Sequence, residues 1–511
     1  MNLAIVHYHL NRGGVARVVE NQLRALDAVL DPAARLQVAL LHGGRKEGWN
    51  DRLAEELRAV DLRLVEVAGL DYESDDEGRA DGRSPLAEDL LDALRRLGFA
   101  PDETVVHVHN HSLGKNAALT ASVRDLAESD FALLLQIHDF AEDFRPTNYR
   151  RLAGLGDDRL YPQAPAIHYA VLNGRDHSVL RAAGVDADRL HLLPNPVPAM
   201  GQLPDRTDAR KKLQAKFDVD PNQRFLLYPV RGIRRKNLGE MLLAGLLSPP
   251  GTVVGLTLAT LNPAELPGYA MWKETAAAWN LPCRFEVGEP GALTFAENLA
   301  ASDVLLTTSL AEGFGMVMLE SWLARRMLVG RNLPEITVDF ADAGLRLDGL
   351  WNRLAVPVEW VGRKRFLDRI GDAYREVAAA FDHPLPPDWE QILSEKIDEN
   401  NTVDFGDLDE SMQSDVLGVV VDSQGGRQTL FDGNPRLETS LAVDTAASAA
   451  TIEHNVRVVE ADYSLAAGGR RLLELLRCVA ASPRGGPLAR PTHPGRILDE
   501  LLHPRRFRMI R

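Results

Sequence analysis

Glu312 and Glu320 stand eight positions apart in the stretch AEGFGMVMLE, with Gly313, Phe314 and Gly315 between them, directly after the apolar run DVLLTTS. A helix that starts after a buried strand presents unpaired backbone N–H groups and a partial positive charge, and glycines let the backbone come close to a ligand there. Glu312 lies in the loop and Glu320 about one turn into the helix, so two acceptor side chains flank an anion-attracting turn. That combination suits a molecule carrying both hydroxyls and phosphate. A second loop, in YPVRGIRRKNLGE, gathers Arg231, Arg234, Arg235 and Lys236 between a strand and a helix, where an Arg and a Lys would hold a diphosphate. A third, HLNRGGVARVVE, places Gly13 and Gly14 before a helix.

Histidines form the other chemical set. In HVHNH, an extended strand would project His107, His109 and His111 from one face, a geometry that can chelate zinc. No carboxylate or Cys partner is evident, and His111 falls past the strand end, so a cleft-lining role, chiefly for His109, is the preferred reading. His138 closes LLLQIH with Asp139 behind it.

The elements that must position these residues follow from alternating apolar runs and helical periodicity. NLAIVHY, LQVALLH, TVVHVH, ALLLQI and YAVL read as strands buried on both faces, and RFLLYPV, TVVGLTLAT, CRFEV, DVLLTTS and MLVG form a second such series. The Pro-rich LLPNPVPAMGQLPD between them suits a hinge. The expected fold is α/β, two Rossmann-like doubly wound domains whose strand ends carry the ligand loops. The expected divisions are 1–200, 201–382, an insertion or appended segment at 383–450, a helical segment at 451–480 and a tail at 481–511. The acidic, turn-rich tract at 70–83 reads as a solvated loop, and the basic RRFRMIR end as a frayed terminus suited to touch anionic lipid. A sugar nucleotide, bound in a cleft between the two domains, fits three such loops on two domains.

Composition narrows the class. With 511 residues and 45% hydrophobic side chains, the chain supports more than one core. Its 58 Lys and Arg against 73 Asp and Glu, a formal charge of -15, oppose binding to nucleic acid. Two cysteines provide no disulfide framework, which points to a reducing, cytoplasmic setting, and no apolar stretch nears 18 residues.

Taken together, Glu312 to Glu320 as E-x7-E with its G-F-G interior, Arg231 and Lys236 as R-x4-K, the Gly13-Gly14 loop, LLPNPV and the closing DYSLAAGGRRLLELL resemble retaining glycosyltransferases of family 4, which have the GT-B architecture of two facing Rossmann-like domains with an interdomain cleft. The resemblance implies that Arg231 and Lys236 bind the donor diphosphate and stabilise its developing charge, that Glu320 accepts from the ribose hydroxyls, and that Glu312 with the backbone of Gly313, Phe314 and Gly315 holds the donor sugar. His138 corresponds to a family histidine near the reacting carbon, with His109 and Asp139 lining the acceptor side. It also implies a UDP- or GDP-linked hexose as co-substrate, a sugar, small-molecule or lipid-linked acceptor, a front-face retaining mechanism, and neither metal nor organic cofactor. The chain departs from the family pattern at Pro196, where Gly is usual, and in SWLARRMLVGRNLPE, where Trp322, Arg325 and Arg326 replace small residues. Alternatives are another GT-B enzyme of sugar nucleotides, such as an epimerase or phosphorylase, and a non-catalytic GT-B-like binding or scaffold protein.

Overall fold

A computed structural model describes all residues except 74–84, 153 and 156–159; most of the acidic tract at 70–83 therefore lies outside the described residues. The chain divides into two compact units, residues 1–198 with 460–503 and residues 199–459 with 504–511.

The first unit is built on a seven-stranded parallel sheet in the order β3-β2-β1-β4-β5-β6-β7. Its strands are β1 Asn2–Val6, β2 Leu36–His42, β3 Val60–Glu66, β4 Thr104–His109, β5 Ala132–Ile137, β6 Ile167–Val171 and β7 Leu190–Leu192. Every residue of β4 and β5 is buried, as a central strand covered by helices on both faces requires. Helix Gly14–Asp27 turns Val19, Leu23 and Leu26 into a core that helix Leu465–Ala481 shares through Leu472, Leu476 and Val479. The close approach of these helices depends on Gly469: a Cβ there would lie 2.0 Å from the Ala25 carbonyl oxygen.

The second unit has a six-stranded parallel sheet in the order β10-β9-β8-β11-β12-β13. These strands are β8 Arg224–Arg231, β9 Thr252–Leu258, β10 Cys283–Arg284, β11 Val304–Thr307, β12 Met327–Arg331 and β13 Leu350–Trp351. In both sheets the strand order reverses beside the first strand of the unit, the switch point at which open α/β sheets bind ligands beyond their carboxyl ends.

Residues 383–450, expected as an insertion or appended segment, pack within the second unit: β15 Thr402–Asp404 pairs antiparallel with β14 Ala355–Pro357, and Met412, Val416 and Leu417 of helix Glu410–Asp422 are fully buried there. One expectation changes here. The tail is not frayed. Arg506 is paired with Glu335 at 2.8 Å, Arg508 with Asp404 at 3.0 Å, and Phe507 packs edge-on against Tyr374. Local polarity suggested a loose end; long-range ion pairs and one buried aromatic order it.

Candidate functional site

In the second unit, the loops after β8 and β11 meet. Past Arg231 the chain makes a single 3-10 turn, Arg234–Lys236, then reaches Asn237 in the left-handed region (φ 53°) before helix Leu238–Leu247 begins. The turn is tied to the neighbouring loop by its backbone: Thr308 and Tyr228 donate hydroxyls to the Lys236 carbonyl at 2.9 and 3.1 Å, and Leu310 N–H donates to the Arg235 carbonyl at 2.9 Å. Held this way, Lys236 forms an ion pair with Glu312, and Arg235 donates to the other Glu312 oxygen at 3.1 Å. Burial alone would raise the Glu312 carboxyl, but Lys236 and Arg235 outweigh it and hold it at about 2. The glutamate is therefore anionic, and two cations converge on it.

Glu320 lies in the first turn of helix Val317–Leu323, one loop beyond Glu312. Gly315 has φ +77°, and a Cβ there would sit 2.8 Å from Ile336 Cδ1, so conformation and space both demand glycine. Gly313 lies within this turn, and Phe314 is buried edge-on against Phe340. Arg231 occupies the end of β8, where it donates to the Ala259 carbonyl at 2.7 Å; the arginine paired with Glu312 is Arg235. Arg235 was visible in the basic run but carried no separate signal, because nothing local distinguishes which arginine the turn directs toward the glutamate.

A buried network supports this loop from behind. Asn237 donates to Glu240 at 2.6 Å, Glu240 accepts three bonds from Arg331, and Arg331 reaches both oxygens of Asp404 at 2.8 Å. Trp351 Nε1 also donates to Glu240, at 2.9 Å, and Gln413 donates to Asn237 Oδ1, at 2.9 Å. Arg331 and Glu240 are fully buried. Sequence reading missed all of these: Gln413 lies 176 positions from Asn237, with no motif linking them.

In the first unit, His138 follows β5 and its backbone N–H donates to Asn110 Oδ1 at 2.7 Å. Its Nε2 shares a hydrogen bond of 2.9 Å with His109 Nδ1, and the two rings stack. His107 bonds Gln136 at 2.9 Å, whereas His111, beyond the left-handed Asn110 (φ 58°), turns to the Leu160 carbonyl. Burial pushes His138 down to about 3 and His107 to about 4, and holds His109 well below the ordinary imidazole value. These are neutral rings at physiological pH. Asp139 accepts from Arg145 at 2.7 Å. Gly13 caps helix Gly14–Asp27 in extended backbone without a side-chain bond, and no atom lies within 4 Å of a Cβ built on Gly14. Among the described residues, no group of three or more His, Cys, Asp or Glu is placed to hold a metal ion, and no helix is long and apolar enough to cross a membrane.

No protein-family model matches the chain. A mannosylglucosyl-3-phosphoglycerate synthase of Petrotoga mobilis is 29% identical over 343 residues, 66% of this chain. The chain spans 66% of that relative's length, just under two thirds. Among solved structures, HepE of Anabaena in complex with UDP-glucose superposes with a TM-score of 0.52 at 13% identity, covering 93% of this chain and 99% of that one. Sucrose-phosphate synthase from Thermosynechococcus elongatus gives 0.52 at 13% identity, covering 93% and 98%. At that identity the likeness is one of fold. Two parallel Rossmann-like sheets make this chain similar in fold to the GT-B glycosyltransferases.

Proposed function

We infer that the protein is a retaining glycosyltransferase of the family 4 type, moving a hexose from a UDP- or GDP-linked donor to a hydroxyl acceptor by a front-face mechanism, without a metal. The observation that carries this reading is the convergence of Lys236 and Arg235 on Glu312 at the carboxyl edge of the second sheet. A diphosphate bound there draws on Lys236 and Arg235, which it shares with Glu312, and they stabilise the charge that develops on its departure. Arg231 and Lys236 serve the diphosphate, Glu312 and the Gly313 to Gly315 turn the sugar, and Glu320 the ribose. Gly13 and Gly14 offer the helix start of the first unit to the donor. Neutral His138, oriented by His109, offers a hydrogen bond near the reacting carbon. The departing phosphate takes the acceptor proton, so no dedicated nucleophile is needed.

Calorimetric titration with UDP, GDP and ADP in EDTA tests the reading. Saturable binding of one diphosphate, followed by turnover of its hexose conjugate with retention at the anomeric carbon, is the expected result. Binding without turnover across hexose donors and acceptors would favour the binding-protein alternative, and binding that requires a divalent ion would remove the metal-free mechanism.

A further inference from the structure

Five loops at the carboxyl edge of the first sheet, those following β1 to β5, bring His9, Arg45, Tyr72, Lys115 and Arg145 into one neighbourhood. The guanidinium carbon of Arg45 lies 5.2 Å from the Tyr72 ring centroid and the Lys115 ammonium 5.3 Å from it, while the His9 ring packs edge-on at 4.7 Å. The three cations are not paired alike. Arg45 is matched by Asp71 at 2.5 Å, and Arg145 by Asp139 at 2.7 Å. Among the described residues no carboxylate is paired with Lys115, whose ammonium meets only the ring face. The nearby Glu73 carboxylate is engaged elsewhere, accepting from the Ala117 and Ala118 N–H groups at 2.8 and 2.9 Å.

The placement of Lys115 is built rather than incidental. Gly114 before it has φ +72°, and a Cβ there would lie 2.3 Å from the Asn148 carbonyl oxygen. Asn116 after it donates to the carbonyls of Gly69 and Asp71, both at 2.7 Å, locking this loop to the one that carries Tyr72. Burial, and next Arg145, draw the Lys115 ammonium below the ordinary lysine value, so a half-buried cation stands beside a second cation without an anion of its own among the described residues.

We propose that Lys115, which shares the Tyr72 ring with Arg45 and has Arg145 as a neighbouring cation, is the subsite for an oxyanion, a phosphate or carboxylate, carried by the acceptor. The oxyanion supplies the charge that Lys115 lacks among the described residues. Its assignment to the acceptor rests on the glycosyl-transfer reading; the anion site itself does not.

The test is calorimetric titration of the full chain with 3-phosphoglycerate, inorganic phosphate and glycerol, alongside the nucleoside diphosphate, for wild type, Lys115→Met and Lys115→Arg. Saturable binding of 3-phosphoglycerate but not glycerol is expected, weakened at least tenfold in Lys115→Met and less than threefold in Lys115→Arg, with diphosphate affinity unchanged in both. Equal affinity in wild type and Lys115→Met, or no binding of either anion, overturns the proposal. Inorganic phosphate binding as tightly as 3-phosphoglycerate would overturn the acceptor assignment by making free phosphate the ligand. Anion binding without any nucleotide binding would leave this site standing while the transferase reading fails, so the two are separable.

Discussion

Gln413 donates its side-chain amide to Asn237 Oδ1 at 2.9 Å and to the Phe405 carbonyl at 3.2 Å. Asn237 is the left-handed residue next to Lys236, so a helix from the 383–450 segment sets the exit angle of the basic loop. We predict that Gln413→Ala weakens diphosphate affinity about 5- to 10-fold, the equivalent of roughly one lost hydrogen bond, with secondary structure intact. Titration of the variant with the preferred diphosphate checks this; unchanged affinity would make Gln413 a packing residue only.

Lys236 and Glu312 are both largely buried, with side-chain exposures of 10% and 11%. Sequence alone suggests that Arg231→Ala and Lys236→Ala both spare the fold, as loop residues do. The structure separates them. Arg231 loses one bond to a carbonyl, so its alanine variant is expected to keep stability within about 1 kcal/mol while losing turnover. Lys236→Met leaves Glu312 buried with Arg235 alone, and is expected to lose turnover and up to roughly 3 kcal/mol of stability. Denaturant melts of the two variants side by side decide this, and equal midpoints would contradict the buried pair.

The sheets were legible because buried parallel strands leave a signature that needs no partner: ALLLQI and DVLLTTS each hold an unbroken apolar run, Ala132 to Leu135 and Val304 to Leu306, before the polar loop begins. Gly315 was legible for a related reason, since a turn of positive φ before a helix selects glycine whatever lies around it. Strand alternation also put His107 and His109 on one face, and their ring centroids lie 4.3 Å apart. Asn110 then breaks the alternation, and His111 leaves the set. What could not be read was pairing across distance. The choice of Arg235 over Arg231 is made by a turn tied down at Thr308, Tyr228 and Leu310, and the order of the tail by Asp404 and Glu335, all remote in sequence.

Arg331 is a buried cation shared by two carboxylates, Glu240 and Asp404, with Arg508 supplying a second positive charge to Asp404 at 3.0 Å. Despite burial, Arg331 and Arg508 hold the Asp404 carboxyl well below the usual range. Arg331→Met would leave Glu240 and Asp404 without the cation between them, and we predict a loss of roughly 3–5 kcal/mol. Glu240→Gln in the same chain should restore part of it by removing one uncompensated charge, a coupling that a double-mutant cycle measures. Additive losses would mean that the two residues act independently.

Stability of the first unit should depend steeply on acid. His7 and His138 are pushed down to about 3, and His107 and His111 to about 4, in each case chiefly by burial. The unfolded chain binds protons on these rings below about 6.5, whereas the folded chain does not until pH 4 or lower, so the unfolded state gains protons first and stability falls as pH drops through this window. Each histidine contributes on the order of 1 kcal/mol per pH unit there. Glu142 opposes them: burial raises its carboxyl to about 7 beside Tyr161, so its own contribution weakens the fold as pH rises from about 4.5 toward 7. Burial raises the Asp176 carboxyl in the same sense as Glu142, but four rings outweigh two carboxyls, and the net expectation is a melting temperature that drops between pH 6.5 and 5 with little change from pH 7.5 to 8.5. Replacing His107 with Gln removes one titrating ring and should flatten the slope, while Glu142→Gln should steepen it. Melts of the three proteins across pH 5 to 8.5 test the argument, and a flat wild-type profile would mean that these rings are not held neutral in the fold.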